Sequence, residues 1–314
     1  MNAPPTLNEI TKAHERIRPY IHRTPVLTCT ALNEMCGADL YFKCENFQKV
    51  GAFKIRGACN GVFSLSDPEA ERGVATHSSG NHAAALALAA RRRGIRAYVV
   101  MPENAPPIKR AAVEGYGAEI TLCRPTLAAR EATLKEIIES TGAEMIHPYN
   151  DCRVIAGQGT AALELLEEVP DPDMVMTPVG GGGLLSGTAS AVSAVSPGTE
   201  IIGAEPERAD DAFRSLRAGR ILPSENPDTV ADGLRTSLGS LTFPIIQRLV
   251  KDIVTVSEED IIRAMGLVWE RMKIVIEPSA AVPVGALLRR DKLFEGKRIG
   301  VILSGGNVDV RFSS

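Results

Sequence analysis

The stretch Ala52-Phe53-Lys54-Ile55-Arg56-Gly57 places one lysine among apolar side chains near the start of the chain. A lysine in such surroundings is partly desolvated, which lowers the pKa of its amine and makes that amine a nucleophile and a proton carrier. A second stretch, Gly180-Gly181-Gly182-Gly183-Leu184, follows the apolar run 174–178 in the middle of the sequence. Successive glycines allow backbone N–H groups to converge on a phosphate, above all where a helix begins. Together the two stretches predict a site that combines an amine nucleophile with a phosphate-binding loop.

Short apolar runs alternate with amphipathic stretches along the whole chain. Helices are expected between the apolar runs, most clearly at 81–93 and 127–140, with Gly94 and Gly142 at positions where a helix stops. This alternation is typical of an α/β protein whose helices pack on mostly parallel sheets. Candidate strands are residues 40–44, 74–77, 97–101, 119–123, 174–178, 201–204, 253–256 and 299–303.

Composition excludes several classes of protein. With 314 residues, 44% hydrophobic and 23% charged, the chain suits an enzyme subunit of two lobes rather than a disordered or fibrous protein. A net charge of -3 gives no electrostatic reason to expect nucleic acid or a membrane as a partner. The six cysteines form no CxxC pair, and no signal segment or long apolar run is present, so we expect a cytoplasmic protein with reduced thiols.

A third motif, Ser304-Gly305-Gly306-Asn307, completes a recognisable set with the lysine stretch and the glycine loop. With these motifs the chain resembles the fold-type II pyridoxal-phosphate enzymes, and most closely the group of serine racemases, serine/threonine dehydratases and 3-hydroxyaspartate dehydratases. The resemblance runs from about Leu7 to Asp309. It implies two open, mostly parallel sheets with flanking helices, as in the tryptophan synthase beta chain. It also implies a large domain, residues 1–73 and 148–314, with a small domain, 74–147, inserted into it.

The resemblance assigns residues to the cofactor, pyridoxal 5'-phosphate. Lys54 matches the lysine that binds the cofactor as a Schiff base, and Phe53 matches a residue near the cofactor ring. Asn81 would bond the phenolic oxygen of the ring and Ser304 the pyridine nitrogen. A neutral hydroxyl at that nitrogen makes the ring a weaker electron sink than an aspartate would, which favours elimination over transamination. The phosphate would be held by Gly180, Gly181, Gly182, Gly183 and Leu184.

The stretch Ser78-Ser79-Gly80-Asn81-His82 follows a candidate strand and opens a candidate helix, where hydroxyl and N–H groups favour a carboxylate. A plain helix cap by Ser78 or Ser79 is the alternative interpretation. By resemblance all five residues bind the substrate, and Ser79 acts as an acid or base on the face opposite Lys54. Serine at this place is typical of racemases and hydroxyaspartate dehydratases of the group, whereas threonine dehydratases commonly have alanine. Arg130 and Ser237 match two further substrate positions.

The segment 205–211, Glu-Pro-Glu-Arg-Ala-Asp-Asp, concentrates acidic residues after a candidate strand. Carboxylate and carbonyl oxygens suit Mg2+, Mn2+ or Ca2+, although a solvated acidic loop has the same composition. By resemblance Glu205, the carbonyl of Ala209 and Asp211 hold a divalent cation. Four residues match a nucleotide site that serine racemase carries at its subunit interface, namely Tyr116, Lys273, Glu277 and Asn307, but Ala84 stands where that site has a glutamine.

The reaction that the resemblance implies is the elimination of water from a small β-hydroxy amino acid. The substrate would be 3-hydroxyaspartate, serine or threonine, and the products an imine or 2-oxo acid and ammonia. The alternative is a serine or aspartate racemase that uses Lys54 and Ser79. A non-catalytic protein that binds pyridoxal phosphate is a third hypothesis, disfavoured because Lys54 and the cofactor-binding motifs are intact. We expect a homodimer.

Overall fold

A computed structural model describes residues 4–78 and 80–309 of the chain. The strands are β1 (Val26–Leu27), β2 (Asp39–Cys44), β3 (Val74–His77), β4 (Ala97–Pro102), β5 (Glu119–Cys123), β6 (Glu144–Met145), β7 (Met174–Pro178), β8 (Glu200–Pro206), β9 (Asp252–Val256) and β10 (Arg298–Leu303). The helices are α1 (Leu7–Ile17), α2 (Thr30–Cys36), α3 (Lys54–Phe63), α4 (Asp67–Glu71), α5 (Asn81–Arg93), α6 (Pro107–Gly115), α7 (Leu127–Thr141), α8 (Cys152–Glu168), α9 (Gly183–Val195), α10 (Asp211–Ala218), α11 (Thr242–Leu249), α12 (Glu258–Met272) and α13 (Pro278–Leu288). Among the described residues, no helix has both the length and the hydrophobicity that a membrane crossing needs.

The larger sheet has six strands in the order β1-β2-β10-β7-β8-β9. All of its pairs are parallel except the antiparallel pair of β1 and β2. Side chains alternate between the two faces, so that Val301 packs with α12 and α13 while Ile302 packs with α1, α8 and α9. Because helices cover both faces, the central strands β7 and β10 are mostly apolar and buried, as is typical of parallel sheets.

The smaller sheet has four strands in the order β5-β4-β3-β6, all parallel. Every one of these strands lies between residues 74 and 145, inside the segment expected to form the small domain. The division into two domains at residues 74 and 147 stays a prediction.

The α/β class with two mostly parallel sheets and flanking helices is confirmed. All eight candidate strands are present, with ends that differ by at most two residues, and the helix expected at 81–93 is α5. Two strands were not predicted, β1 and β6. Each is only two residues long and lies at the edge of a sheet, where too few side chains alternate to leave a pattern.

Three strands lead directly into the expected site at their carboxyl ends. β3 ends at His77, just before α5; β7 ends at Pro178, before the glycine loop and α9; and β10 ends at Leu303, next to Ser304. The carboxyl ends of parallel strands are where ligands bind in open α/β sheets.

Buried charges tie α3 to the larger sheet. The Arg56 side chain is fully buried and bonds Glu45 (Nε to Oε2, 2.7 Å) and Glu164 (Nη2 to Oε2, 2.7 Å). Lys43, on β2, lies 2.7 Å from the same oxygen of Glu164, and the Thr24 hydroxyl donates to Glu45 at 2.6 Å. These bonds fix the first turn of α3, which begins at Lys54.

Candidate active site

A cavity of about 380 Å³ lies where the carboxyl ends of the two sheets face each other. Residues from both sheets line it, and so do most of the residues expected to bind cofactor or substrate. Ser79 lies outside the described residues, so its position stays a prediction. The expected residues in the wall are Phe53, Lys54, Ser78, Gly80, Asn81, His82, Arg130, Gly180, Gly181, Gly182, Gly183, Leu184, Ser237 and Ser304.

Lys54 is the first residue of α3, and its amine lies at the cavity wall. Nζ donates to the carbonyl of Pro148 at 2.9 Å and lies 5.1 Å from the centre of the Phe53 ring. Burial lowers the pKa of Lys54 to about 8, and the nearby negative charge of Glu277 only partly opposes that shift. A substantial fraction of the amine is therefore unprotonated near neutral pH, as a nucleophile or base requires.

The glycine loop forms a cradle that has no room for side chains. A Cβ atom at Gly181 would lie 2.4 Å from the ring of Tyr149, and one at Gly180 would lie 3.1 Å from the Cα of Leu234. Gly182 has a φ of 87°, a conformation that favours glycine, and is the residue from which α9 begins. The first N–H groups of a helix have no partner within the helix, and the glycines at this helix start line the cavity, where such groups suit a phosphate.

Ser304 joins the cavity from the end of β10. Its side chain is almost fully buried, and its carbonyl accepts a hydrogen bond of 3.0 Å from the backbone N–H of Phe53. A β-bridge between Ala52 and Gly305 extends this contact. The lysine segment and the end of β10, which are far apart in sequence, are thus held side by side.

His82 is buried and its side chain is already engaged. Nε2 lies 3.0 Å from the carbonyl of Ile146, which can only accept, so Nε2 carries the proton. Burial, reinforced by the charge of Lys54, lowers the pKa of His82 to about 3. The neutral ring therefore has no charge to offer a substrate, and the backbone N–H groups in the first turn of α5 are the donors available to a carboxylate.

Two further residues expected to bind the substrate, Arg130 and Ser237, bring polar groups to the cavity wall. Arg130, in the first turn of α7, has a buried Nε without a hydrogen-bond partner. The Ser237 hydroxyl oxygen accepts from the backbone N–H of Ser224 at 2.8 Å, which leaves its own proton free to donate into the cavity.

An ion pair at the cavity wall was not predicted. Lys109 on α6 pairs with Asp232, which is 123 residues away in sequence, and both residues line the cavity. The pair joins the segment that carries the smaller sheet to a loop beside the larger one. No local pattern signals a partner at such a separation, so the pair could not be predicted.

The expected cation ligands lie next to the loop that carries Ser237, since Asp211 bonds the following residue, Leu238. Glu205, on β8, and Asp211, at the start of α10, are both fully buried. Glu205 accepts from the backbone N–H groups of Ala212 and Phe213, and Asp211 Oδ2 accepts from that of Leu238, while Asp211 Oδ1 has no partner. Burial raises the pKa of both carboxyl groups, that of Asp211 to about 7. Two buried carboxyl groups, one of them with an oxygen that has no hydrogen-bond partner, are suited to bind a cation. The described residues nevertheless contain no cluster of three or more His, Cys, Asp or Glu side chains suited to a metal.

A buried lysine with a lowered pKa beside an anion cradle free of side chains, between two mostly parallel sheets, is the arrangement that a pyridoxal-phosphate enzyme needs. In agreement, residues 17–305 match the family of pyridoxal-phosphate dependent enzymes, and the chain belongs to this family. Lys54, the glycine loop and Ser304 would hold the cofactor.

Relatives of the chain include both lyases and racemases. It is 52% identical to a beta-hydroxyaspartate dehydratase of Paracoccus denitrificans, over 98% of this chain and 97% of the relative. It is 48% identical to an L-threo-3-hydroxyaspartate ammonia-lyase of Saccharomyces cerevisiae, over 98% and 94%. The crystal structure of serine racemase from Dictyostelium discoideum aligns with a TM-score of 0.94 at 52% identity, over 98% of this chain and 100% of that one.

Proposed function

We propose that this enzyme eliminates water from a small β-hydroxy amino acid, with 3-hydroxyaspartate as the preferred substrate. The observation that carries the proposal is the Arg130 side chain, a guanidinium at the cavity wall with an unpartnered Nε. A substrate with a second carboxylate needs such a cation, whereas serine and threonine do not. The similarity to two proteins named for hydroxyaspartate supports the same choice.

Bound pyridoxal phosphate supplies an electron sink for the electron pair left at Cα when its proton is removed. Lys54 takes that proton, because its amine is unprotonated in part near neutral pH. The start of α5 holds the α-carboxylate, and Arg130 with Ser237 holds the distal carboxylate. Loss of the Cα proton and the β-hydroxyl removes one water molecule. The enamine that results takes up a proton at Cβ and becomes an imine, which reacts with water to give a 2-oxo acid and ammonia.

Substituting Arg130 tests the substrate. We expect Arg130→Met to lower kcat/KM for 3-hydroxyaspartate by about 100-fold, because a charge-assisted hydrogen bond of 1.5–3 kcal/mol is lost, and for serine by no more than about fivefold. Steady-state assays of 2-oxo acid formation on both substrates measure the ratio. Arg124→Met is the matched control, since Arg124 is an exposed arginine near the same helix and outside the cavity wall. Equal losses on the two substrates would rule out a role for Arg130 in holding the second carboxylate.

Racemisation is the second candidate function, favoured by the 52% identity to a serine racemase. It requires a proton donor on the face opposite Lys54, which the resemblance assigns to Ser79. Chiral analysis of the remaining amino acid, run beside the 2-oxo acid assay on one preparation, separates the two reactions. Inverted amino acid that accumulates faster than 2-oxo acid would make racemisation the main activity.

We further propose that a divalent cation binds between Glu205, the carbonyl of Ala209 and Asp211. The two buried carboxylates repel each other, and an oxygen-seeking cation would neutralise both. Asp211 bonds the backbone of Leu238, which follows Ser237. The cation would therefore also stabilise the part of the cavity wall that Ser237 forms.

Chelation tests the cation. We expect EDTA to lower the melting temperature by at least about 3 °C and added Mg2+ or Mn2+ to restore it, because a ligand that binds only the folded state stabilises it. Asp211→Asn should abolish this response, whereas Asp228→Asn, at an 86% exposed side chain, should keep it. The same melting temperature with and without EDTA would show that the carboxylates hold no cation.

A further inference from the structure

Glu277 immediately precedes α13 and is only 5% exposed, at the floor of the cavity. Its carboxylate accepts hydrogen bonds from Asn81 Nδ2, at 3.0 Å to Oε1 and 3.1 Å to Oε2, and from the backbone N–H of Asn307 at 3.2 Å. The nucleotide-site match would put this residue at a subunit interface. Within the chain, its side chain lines the active-site cavity.

The amide of Asn81 has almost no freedom in this arrangement. Its oxygen accepts from Asn307 Nδ2 at 2.9 Å, and its nitrogen faces both carboxylate oxygens of Glu277. If the Asn81 amide were flipped, its oxygen would face the carboxylate of Glu277 and its NH2 group would face the NH2 group of Asn307. Both contacts are repulsive, so only one orientation of the amide is stable. One N–H directed between the two carboxylate oxygens leaves the second N–H of Asn81 available to the cavity.

Glu277 also contacts the segment that carries Ser304. Its backbone N–H donates to the carbonyl of Gly305 at 3.0 Å, and a Cβ atom at Gly305 would lie 2.8 Å from Glu277 Oε1. Asn81 and Gly305, the residue after Ser304, therefore both contact Glu277. Asn81 and Ser304 are 223 residues apart in the chain: Asn81 opens α5, after a strand of the smaller sheet, and Ser304 follows β10 of the larger sheet.

We propose that Glu277 is a positioning residue, which orients the Asn81 amide so that an N–H donor faces the phenolic oxygen of the bound cofactor ring. The donor stabilises negative charge on that oxygen and so strengthens cofactor binding and sets its absorbance. Burial raises the pKa of Glu277 to about 7, while the hydrogen bond from Asn81 favours the charged form. This role does not depend on which amino acid the enzyme uses.

A double-mutant cycle on cofactor binding tests the proposal. Glutamine at position 277 would place an NH2 group against Asn81 Nδ2 or the Asn307 N–H, so we expect Glu277→Gln to weaken pyridoxal phosphate binding by about tenfold or more and to shift the visible absorbance band. Asn81→Ala should do the same. In the double variant the second substitution should add no more than about twofold, because Glu277 acts through Asn81.

Glu9→Gln is the matched control, since Glu9 is an exposed carboxylate that also bonds backbone and side-chain groups, those of Thr6. It should leave cofactor affinity and absorbance unchanged. Additive effects in the cycle, or an unaltered affinity and band in folded Glu277→Gln, would overturn the proposal. If Glu277→Gln does not fold, the same measurements are made on Glu277→Asp. Weaker pyridoxal phosphate binding and a shifted absorbance band in that variant would support the positioning role. Unchanged cofactor binding, or failure of this variant to fold, would assign Glu277 to stability alone.

Discussion

Lys54→Ala is expected to lower kcat by at least about 10,000-fold and to abolish the covalent link to the cofactor. Among the residues in the cavity wall, only Lys54 and Lys109 carry an amine, and Lys109 is held by Asp232. The rest of the cofactor site would be left intact, so the variant should still bind pyridoxal phosphate reversibly through the glycine loop and Ser304. Activity assays, mass spectrometry after borohydride reduction and the visible spectrum measure the three effects.

Lys135→Ala is the control for this variant, because Lys135 is 76% exposed and lies on α7 outside the cavity wall. It should retain full activity and the covalent link. Added primary amines such as methylamine should restore a small part of the activity of Lys54→Ala, since they replace the missing base. Substantial activity without added amine would show that another residue removes the proton.

The sequence predicted most of the site because its residues lie in short motifs. The glycine loop and Ser304 each follow a strand and Lys54 begins a helix, so their places next to regular elements follow from local pattern. The long central strands were predicted for the same reason, since several consecutive apolar residues leave a clear signal.

Long-range polar contacts could not be predicted in this way. Glu277 and Asn81 are 196 residues apart, and Arg56 and Glu164 are 108 apart. Nothing in the neighbourhood of a charged residue reveals that a distant partner will satisfy it on burial, because burial is decided by the tertiary fold. The histidine at position 82 shows the same limit: the resemblance suggested a substrate contact, whereas burial lowers the pKa of His82 to about 3 and Nε2 is bonded to the carbonyl of Ile146.

The ion network under α3 has a predictable response to acid. Burial alone would raise the pKa of Glu164, but the hydrogen bond and charge of Arg56, with the charge of Lys43, outweigh it and lower that pKa below 4.5. A carboxyl group whose pKa is lowered by folding stabilises the folded protein at pH values above the pKa that the group has in the unfolded chain. That contribution is lost as the pH falls through the folded value.

Arg56→Met is therefore expected to lower the free energy of unfolding by about 3–5 kcal/mol at pH 7, because Glu45 and Glu164 stay buried and lose the guanidinium that bonds both of them. Urea unfolding of the cofactor-free protein measures the change. Lys135→Met, which breaks the exposed pair of Lys135 with Glu139, is the control and should cost less than about 0.5 kcal/mol. Below pH 4.5 the difference between Arg56→Met and the parent should shrink as Glu164 is protonated in both proteins. A loss at pH 7 no larger than that of Lys135→Met would mean that the buried pairs merely offset their own desolvation, and that packing alone holds the first turn of α3 in place.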